Sequence, residues 1–159
     1  VNIRLEPLSH DAPELVAALE AERLPTDDLA ESGGTFFRVI AEGRTVGFGG
    51  FELHGRYALL RSIVMLPYAR SRGSGRLATE ALLQRAGELG ATAAYLLTTS
   101  AAEFFESSDF RRIAREEAPG EIAATRQAAS LCPSTAVLMM RRIDGNDTNL
   151  QRPIAESRP

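Results

Sequence analysis

The spacing of apolar and polar positions divides the chain into segments of two periods. Residues 2–8 alternate, with Ile3, Leu5 and Pro7 set against Arg4 and Glu6, and this predicts an opening strand. From about Asp11 to Arg23 the spacing becomes helical. Leu15, Val16, Ala18 and Leu19 form the apolar stripe, and Asp11 and Glu14 fall in the first turn, where the helix dipole favours them. Pro25-Thr26-Asp27-Asp28 reads as a break and a fresh cap, predicting a second short helix before Gly33-Gly34. Thr35 to Ala41 is rich in aromatic and β-branched residues. With Glu42-Gly43-Arg44 as a tight turn and Thr45 to Leu53 as partner strand, it predicts a hairpin. A turn at His54-Gly55-Arg56 leads into a third strand, Tyr57 to Leu66, which stops at Pro67.

The period then changes again. Gly73 to Leu89 reads as a helix ended by Gly90, and Ala93 to Thr98 as a continuous apolar run of the kind that lies buried on both faces of a sheet. Ala101 to Ser107 predicts a short helix, Arg112 to Glu116 a weak strand, Gly120 to Ala129 a polar helix or loop, and Thr135 to Arg142 a final strand. The expected fold class is therefore α/β: a mixed sheet with antiparallel strands first and a strand-helix-strand unit in the middle. Residues 1–143 are read as a single domain. Residues 144–159 are polar and contain Pro153 and Pro159, and they are read as a mobile tail.

Composition narrows the classes of function. With 159 residues, the chain can bury one ordinary core. A formal net charge of -3 gives no global electrostatic case for nucleic acid. No apolar run approaches the roughly 20 residues that cross a bilayer, and Val1-Asn2-Ile3-Arg4 lacks the marks of a signal peptide. The single cysteine, Cys132, excludes an intramolecular disulfide framework and suits a reducing cytoplasm, which is the expected location. No metal ligand set is predicted.

Candidate chemistry concentrates between the third strand and the helix after it. Arg70-Ser71-Arg72-Gly73-Ser74-Gly75-Arg76 joins a strand end to a helix start. The first N–H groups of a helix have no intrahelical partner and carry the positive end of the dipole. Gly73 and Gly75 let a ligand approach the backbone, and Arg70, Arg72 and Arg76 suit phosphate oxygens. A pyrophosphate would fit this cradle. A P-loop is excluded because no Lys follows Gly75, and a dinucleotide fingerprint because only Gly-x-Gly is present, after an antiparallel strand.

Two other features stand out. Glu52 and His54 lie two apart on the second hairpin strand and so share one face of it. Glu52 sits among Gly49, Gly50, Phe51 and Leu53, and reads either as a base in an apolar setting or as a solvated strand-end charge. Arg61 is an isolated charge in an apolar strand. Burying it unpaired is costly, so it predicts either a substrate anion in contact with the guanidinium or a structural ion pair.

Arg70-Ser71-Arg72-Gly73-Ser74-Gly75 resembles the Arg/Gln-x-x-Gly-x-Gly/Ala signature of the GNAT superfamily of N-acetyltransferases, and the elements around it fall in that superfamily's order over about residues 2 to 142. The resemblance implies that acetyl-CoA is the cofactor, with backbone N–H groups from Ser71 to Arg76 on its pyrophosphate. It further implies that main-chain groups of Ile63, Val64 and Met65 pair with the pantetheine arm, as a strand pairs with a sheet edge. The strand at 57–66 would splay from the strand at 93–98 to open a V-shaped slot. Ala58-Leu59-Leu60-Arg61-Ser62, Tyr95-Leu96-Leu97-Thr98-Thr99, Phe104-Phe105 and Ser130-Leu131-Cys132-Pro133 resemble more narrowly the subfamily found in arsenic-resistance operons. That likeness implies a small amine-bearing acceptor such as an arsenic-containing amino acid or a phosphinothricin-like analogue. One cysteine cannot supply the two or three thiolates that capture arsenite.

The chain departs from the superfamily in its acid and base. Leu59 and Arg61 occupy the places where a Glu base is usual, which leaves Glu52 as the expected catalytic base and His54 as a neighbour that binds substrate. Phe105 stands where a Tyr often protonates the leaving thiolate, and a phenyl ring has no proton to give. Asp109 replaces a usual Gly. Arg61, Thr98 and Arg126 complete the expected substrate contacts. A homodimer is compatible with the fold. The rival readings are an acyl-CoA sensor without catalysis and a protein N-acetyltransferase.

Overall fold

The computed structural model describes residues 2–30, 33–70, 73–125, 128–129 and 135–143. Seven strands form one sheet: β1 (Ile3–Leu8), β2 (Thr35–Ala41), β3 (Arg44–His54), β4 (Tyr57–Met65), β5 (Ala93–Thr98), β6 (Arg111–Ile113) and β7 (Val137–Arg142), in the order β1-β2-β3-β4-β5-β7-β6. Helices α1 (Pro13–Ala21), α2 (Ser74–Glu88), α3 (Ala102–Glu106) and α4 (Gly120–Ala123), with short 3-10 turns at Pro67–Ala69 and Arg115–Glu117, accompany the sheet among the described residues. Neighbouring strands are antiparallel except β4 and β5, whose parallel pairing needs the α2 crossover. The expected mixed sheet is present, and β2 and β5 have the bounds predicted for them.

Local chemistry explains most boundaries. The β2–β3 turn places Glu42 at φ +53° and Gly43 at φ +78°, the double positive φ that a tight hairpin turn of matching twist requires. Helix α2 begins after Gly73 (φ +79°) and is followed by Gly90 (φ +107°), both in the left-handed region that favours glycine. Asp109 also sits there, at φ +70°, so it takes the conformation for which the resemblance expected a Gly. The second short helix expected before Gly33 does not form among the described residues, and residues 27–30 are turns. The described part of that segment is held by a side chain of the sheet, as shown below. The predicted tail at 144–159 lies outside the described residues.

Apolar alternation on β4 sorts its neighbours onto two faces. Leu60, Ile63 and Met65 join the larger cluster, with Phe37, Phe51, Leu82 and Phe105, that seats α2 and α3. Val64 joins Leu15, Leu19, Leu29, Phe36 and Phe48 under α1, and Leu59 joins Tyr95, Ile122 and Leu138 under α4. Leu15 and Leu19 are fully buried, worth about 1.5–3 kcal/mol each. That burial outweighs α1's lack of a side-chain cap. Arg61 lies between Leu59 and Val64 on this second face, in the seam between two apolar clusters.

Candidate active site

The slot begins where β4 and β5 stop pairing. Their parallel register runs from Tyr57↔Ala93 to Leu59↔Tyr95 and no further, while β5 remains paired with β7 through Thr98. Beyond Leu59 the β4 strand bulges. Ser62 and Ile63 together oppose Gly49, between the pairs Gly50↔Arg61 and Phe48↔Val64. Ser62 takes φ +61°, a backbone conformation that costs a non-glycine residue about 1–2 kcal/mol. The bulge turns β4 away from β5 and opens a cavity of about 610 Å³.

One wall of this cavity is the β4 edge from Leu60 to Met65, and the other is Leu96, Leu97 and Thr98 of β5. Its mouth is the start of α2, where Gly73, Gly75 and Arg76 line it, and Phe104 and Phe105 of α3 close the side. Gly75 packs closely against the α3 wall. A Cβ there would stand 3.3 Å from Phe104 Cζ and 3.5 Å from Met65 Cγ. The 15-residue α2 thus aims its first N–H groups into a slot floored by glycine and edged by unpaired β4 main chain. The residues present fit a long ligand that ends in phosphates.

Several expected residues are brought together here: Arg61, Ile63, Val64, Met65, Arg70, Gly73, Gly75, Arg76 and Thr98 all line the cavity, Ser74 is buried in the first turn of α2, and Glu52 and His54 are not among the lining residues. Ser71, Arg72 and Arg126 lie outside the described residues, as does Cys132. Arg70 has company that was not expected. It donates to Glu22 Oε2 at 2.6 Å through one terminal nitrogen and to the Met65 carbonyl at 3.1 Å through Nε. Thr98 Oγ1 accepts from the Ala101 N–H at 3.0 Å and so serves the turn into α3. Phe105, 8 % exposed, lies edge-on to Phe104 and Phe110, with ring centroids 4.9 and 5.7 Å away. The α3 wall is therefore aromatic, and Phe105 has no proton to offer.

Beside the slot, on the α1 and α4 face, lies a chain of charges of which Arg61 lines the cavity. Glu52 lies directly across from Leu59 in the β3–β4 register. Its Oε2 accepts from Arg61 at 2.9 Å and its Oε1 lies 2.8 Å from His54 Nε2. Arg61 also grips both oxygens of Asp28, at 2.6 and 2.8 Å. Its remaining donors reach Ser62 Oγ at 3.2 Å and the Pro25 carbonyl at 3.4 Å. All five guanidinium N–H groups thus have acceptors. The Asp28, Glu52 and Arg61 side chains are at most 4 % exposed, and that of His54 is 27 % exposed. Burial works against the Arg61 charge, but the hydrogen bonds it donates to Asp28 and Glu52 outweigh it, so its pKa is raised.

This arrangement bears on two residues for which alternatives were left open. Of the two readings left open for Arg61, the structure builds the ion pair. With every donor taken, a substrate carboxylate would have to displace Asp28 or Glu52. Glu52 is not a solvated strand-end charge, because it is 3 % exposed. Asp28 was read only as part of a cap, and nothing local marks it otherwise, since its partner is 33 positions away. Among the described residues, no group of three or more His, Cys, Asp or Glu side chains is arranged to hold a metal ion.

Comparison with known proteins fits the fold and the slot. The family model for the acetyltransferase (GNAT) family matches residues 3–110, more than half of the chain. The chain belongs to this family. A search of curated protein sequences finds no match. Among solved structures, a Mycobacterium tuberculosis protein in complex with CoA and NLQ superposes with a TM-score of 0.71 at 17% identity, covering 91% of this chain and 100% of that one. Tetrahymena GCN5 gives 0.68 at 12% identity, covering 89% and 96%. N-acetylglutamate synthase from Neisseria gonorrhoeae, complexed with coenzyme A and N-acetyl-glutamate, gives 0.70 at 16% identity over 91% of this chain. The chain spans 36% of that synthase's length.

Proposed function

We propose that the protein transfers an acetyl group from acetyl-CoA to the amine of a small molecule. The observation that carries this reading is the slot: parallel pairing that ends at Leu59↔Tyr95, a bulged β4 edge, and a glycine-floored helix start at its mouth. The pyrophosphate would lie against the first N–H groups of α2, from Gly73 to Arg76, and the pantetheine arm would pair with Ile63, Val64 and Met65 as an added strand. Two solved structures of the same fold are complexes with coenzyme A, which supports the donor assignment. Acetyl-CoA supplies the acetyl group as a thioester.

The chain's own residues position the acceptor and draw off its proton. Glu52 supplies a fixed negative charge beside the apex of the slot, held by Arg61, and acts through its hydrogen-bonded neighbours. Phe104 and Phe105 keep water from the thioester side of the α3 wall. The leaving thiolate needs no protein acid, since a free thiol has a pKa of about 8.5 and takes its proton from solvent. The acceptor class rests on the resemblance to arsenic-resistance enzymes, so the amine panel includes arsenic- and phosphinate-bearing amino acids beside simple amines. The single cysteine suits a cytoplasmic setting.

The test has two stages. Acetyl-CoA at 100 times its Kd stabilises the fold by about 2.7 kcal/mol, read as a rise in Tm. No rise at millimolar ligand overturns the reading. Thiol release is then followed with the amine panel and with peptides. Binding without turnover identifies an acyl-CoA sensor, and acetylation of peptides but not free amines a protein N-acetyltransferase.

A further inference from the structure

A pantetheine arm paired with Ile63, Val64 and Met65 as an added strand takes the place beside β4 that β5 leaves after Leu59↔Tyr95. Its reactive end then stands against the β4 residues between that last rung and Ile63. These are Leu60, Arg61 and Ser62, and all of them line the cavity. Leu60 has no polar side-chain atom. The Arg61 guanidinium is spent on Asp28, Glu52, Ser62 and the Pro25 carbonyl. Ser62 remains. It is 9 % exposed, and its Oγ accepts from Arg61 Nε at 3.2 Å. A hydroxyl that accepts one bond still has its O–H to give, and no side-chain or main-chain acceptor among the described residues takes it. The backbone is unusual at the same position. Ser62 holds φ +61° inside the bulge, where glycine would sit without strain. Strain kept at a residue of a ligand slot, together with an uncommitted donor on that residue, points to use of its side chain.

We propose that the Ser62 hydroxyl donates a hydrogen bond to the thioester carbonyl oxygen and to the oxyanion that forms from it. This rests on the acetyl-CoA reading and adds the side chain that meets the developing charge. As the amine nitrogen bonds to the acetyl carbon, the carbonyl π pair moves onto oxygen, and the Ser62 O–H holds it there. The pair returns as the C–S bond breaks. The electrons of that bond leave with sulfur, and the amine proton passes to solvent. Ser62 keeps its own proton throughout. A donor fixed in a wall poor in water is worth more to the oxyanion than to the ground-state carbonyl. Arg61 is a positioning residue. By donating to Oγ it turns the O–H away from itself and polarises it. Asp28 and Glu52 act one bond further back, because they hold the guanidinium that holds the hydroxyl.

The experiment compares the wild-type protein with Ser62→Gly and Ser62→Cys. Glycine takes the backbone conformation freely, and cysteine keeps the side-chain shape with only a weak donor, so one variant serves where the other folds poorly. Acetyl-CoA isotope-labelled at the thioester carbonyl is bound to each protein without an amine, and its C=O stretch is read by infrared difference spectroscopy. The band is expected to fall below its free-solution position in the wild type and to move back toward it in both variants. The Kd for acetyl-CoA is expected to rise by less than about tenfold, as for the loss of one hydrogen bond. With the best amine of the panel, kcat is expected to fall by about 10²-fold or more. A bound band at the same position in all three proteins overturns the proposal, and so does a kcat within about twofold of the wild type in both variants. A wild-type protein that binds acetyl-CoA but acetylates no amine overturns the transfer reading, and the band then decides alone whether Ser62 holds the carbonyl. A wild-type protein that does not bind acetyl-CoA overturns both.

Discussion

The two ends of the slot are built from different materials. The mouth is backbone: the unpaired edge of β4, Gly73 and Gly75, and the first turn of α2, contributed by residues close together in sequence. The other end, beside the last β4–β5 pair, rests on side chains: Arg61 lines the cavity and is held by Asp28 and Glu52 across sequence gaps of 33 and 9 positions, sealed from solvent, with partly exposed His54 on Glu52. Backbone geometry set by a helix start tolerates change in neighbouring side chains. A buried charge chain does not, because the loss of one member strands the others without partners.

The sharpest way to break this comparison is at Asp28. Asp28→Ala leaves half of the Arg61 guanidinium buried without an acceptor and is expected to cost about 3–5 kcal/mol in urea unfolding. The Kd for acetyl-CoA of the protein that remains folded is expected to change less than threefold. A similar loss of cofactor affinity would mean that the two ends are one unit. The reverse experiment is Gly75→Val. Its side chain fills the space beside Phe104 and Met65, and the Kd for acetyl-CoA by calorimetry is expected to rise at least about tenfold, or 1.4 kcal/mol. Unfolding stability should change by less than the Asp28 variant's.

A smaller effect is expected at the mouth. Glu22 holds Arg70 over the β4 edge through a pair in which both side chains are more than 40 % exposed. Exposed pairs are worth about 0.2–1 kcal/mol. Glu22→Gln, which frees Arg70 for phosphate, should therefore tighten acetyl-CoA binding by about 1.4- to 5-fold. Smallest is a pH effect far from the slot. Hydrogen bonds from Arg38 hold the Glu6 and Glu14 carboxyls below the usual carboxylate range. Their contribution is present above the unfolded pKa of about 4.3 and is lost as pH falls through the lower folded values. Arg38→Met should lower Tm slightly at neutral pH, where the pairs' contribution is present, and the difference from the wild type should vanish as pH falls through that acid window.

Most of the sheet was legible because its signals are local. Phe36, Phe37, Val39 and Ile40 before Glu42-Gly43 specify a strand and its turn. The apolar run at 93–98 specifies a central strand, and Gly73 and Gly90 mark the ends of a helix. The failures share one cause. The segment after Pro25 has a helix cap's composition, yet Arg61 from the middle of β4 takes both the Pro25 carbonyl and the Asp28 carboxylate. A tertiary bond overrides a local preference there, and no window of neighbouring residues contains both partners. The bulge at Ser62 was hidden for a related reason, since a serine has no composition that announces a positive φ.

By itself the sequence determined the succession of the strands, the glycines at the ends of α2 and the aromatic pair Phe104-Phe105, because each follows from residues within a few positions of one another. It also required that Arg61 have an anionic partner, because a buried guanidinium without one is too costly. Only the tertiary structure decided which partner. The parallel pairing of β4 with β5 stops at Leu59, the bulge at Ser62 opens the slot, and the sheet brings Asp28, Glu52 and His54 to one guanidinium and one another. The physical reason is that hydrogen bonds between side chains are set by the register of strands and the path of a connection, and both are fixed only when the whole sheet has formed.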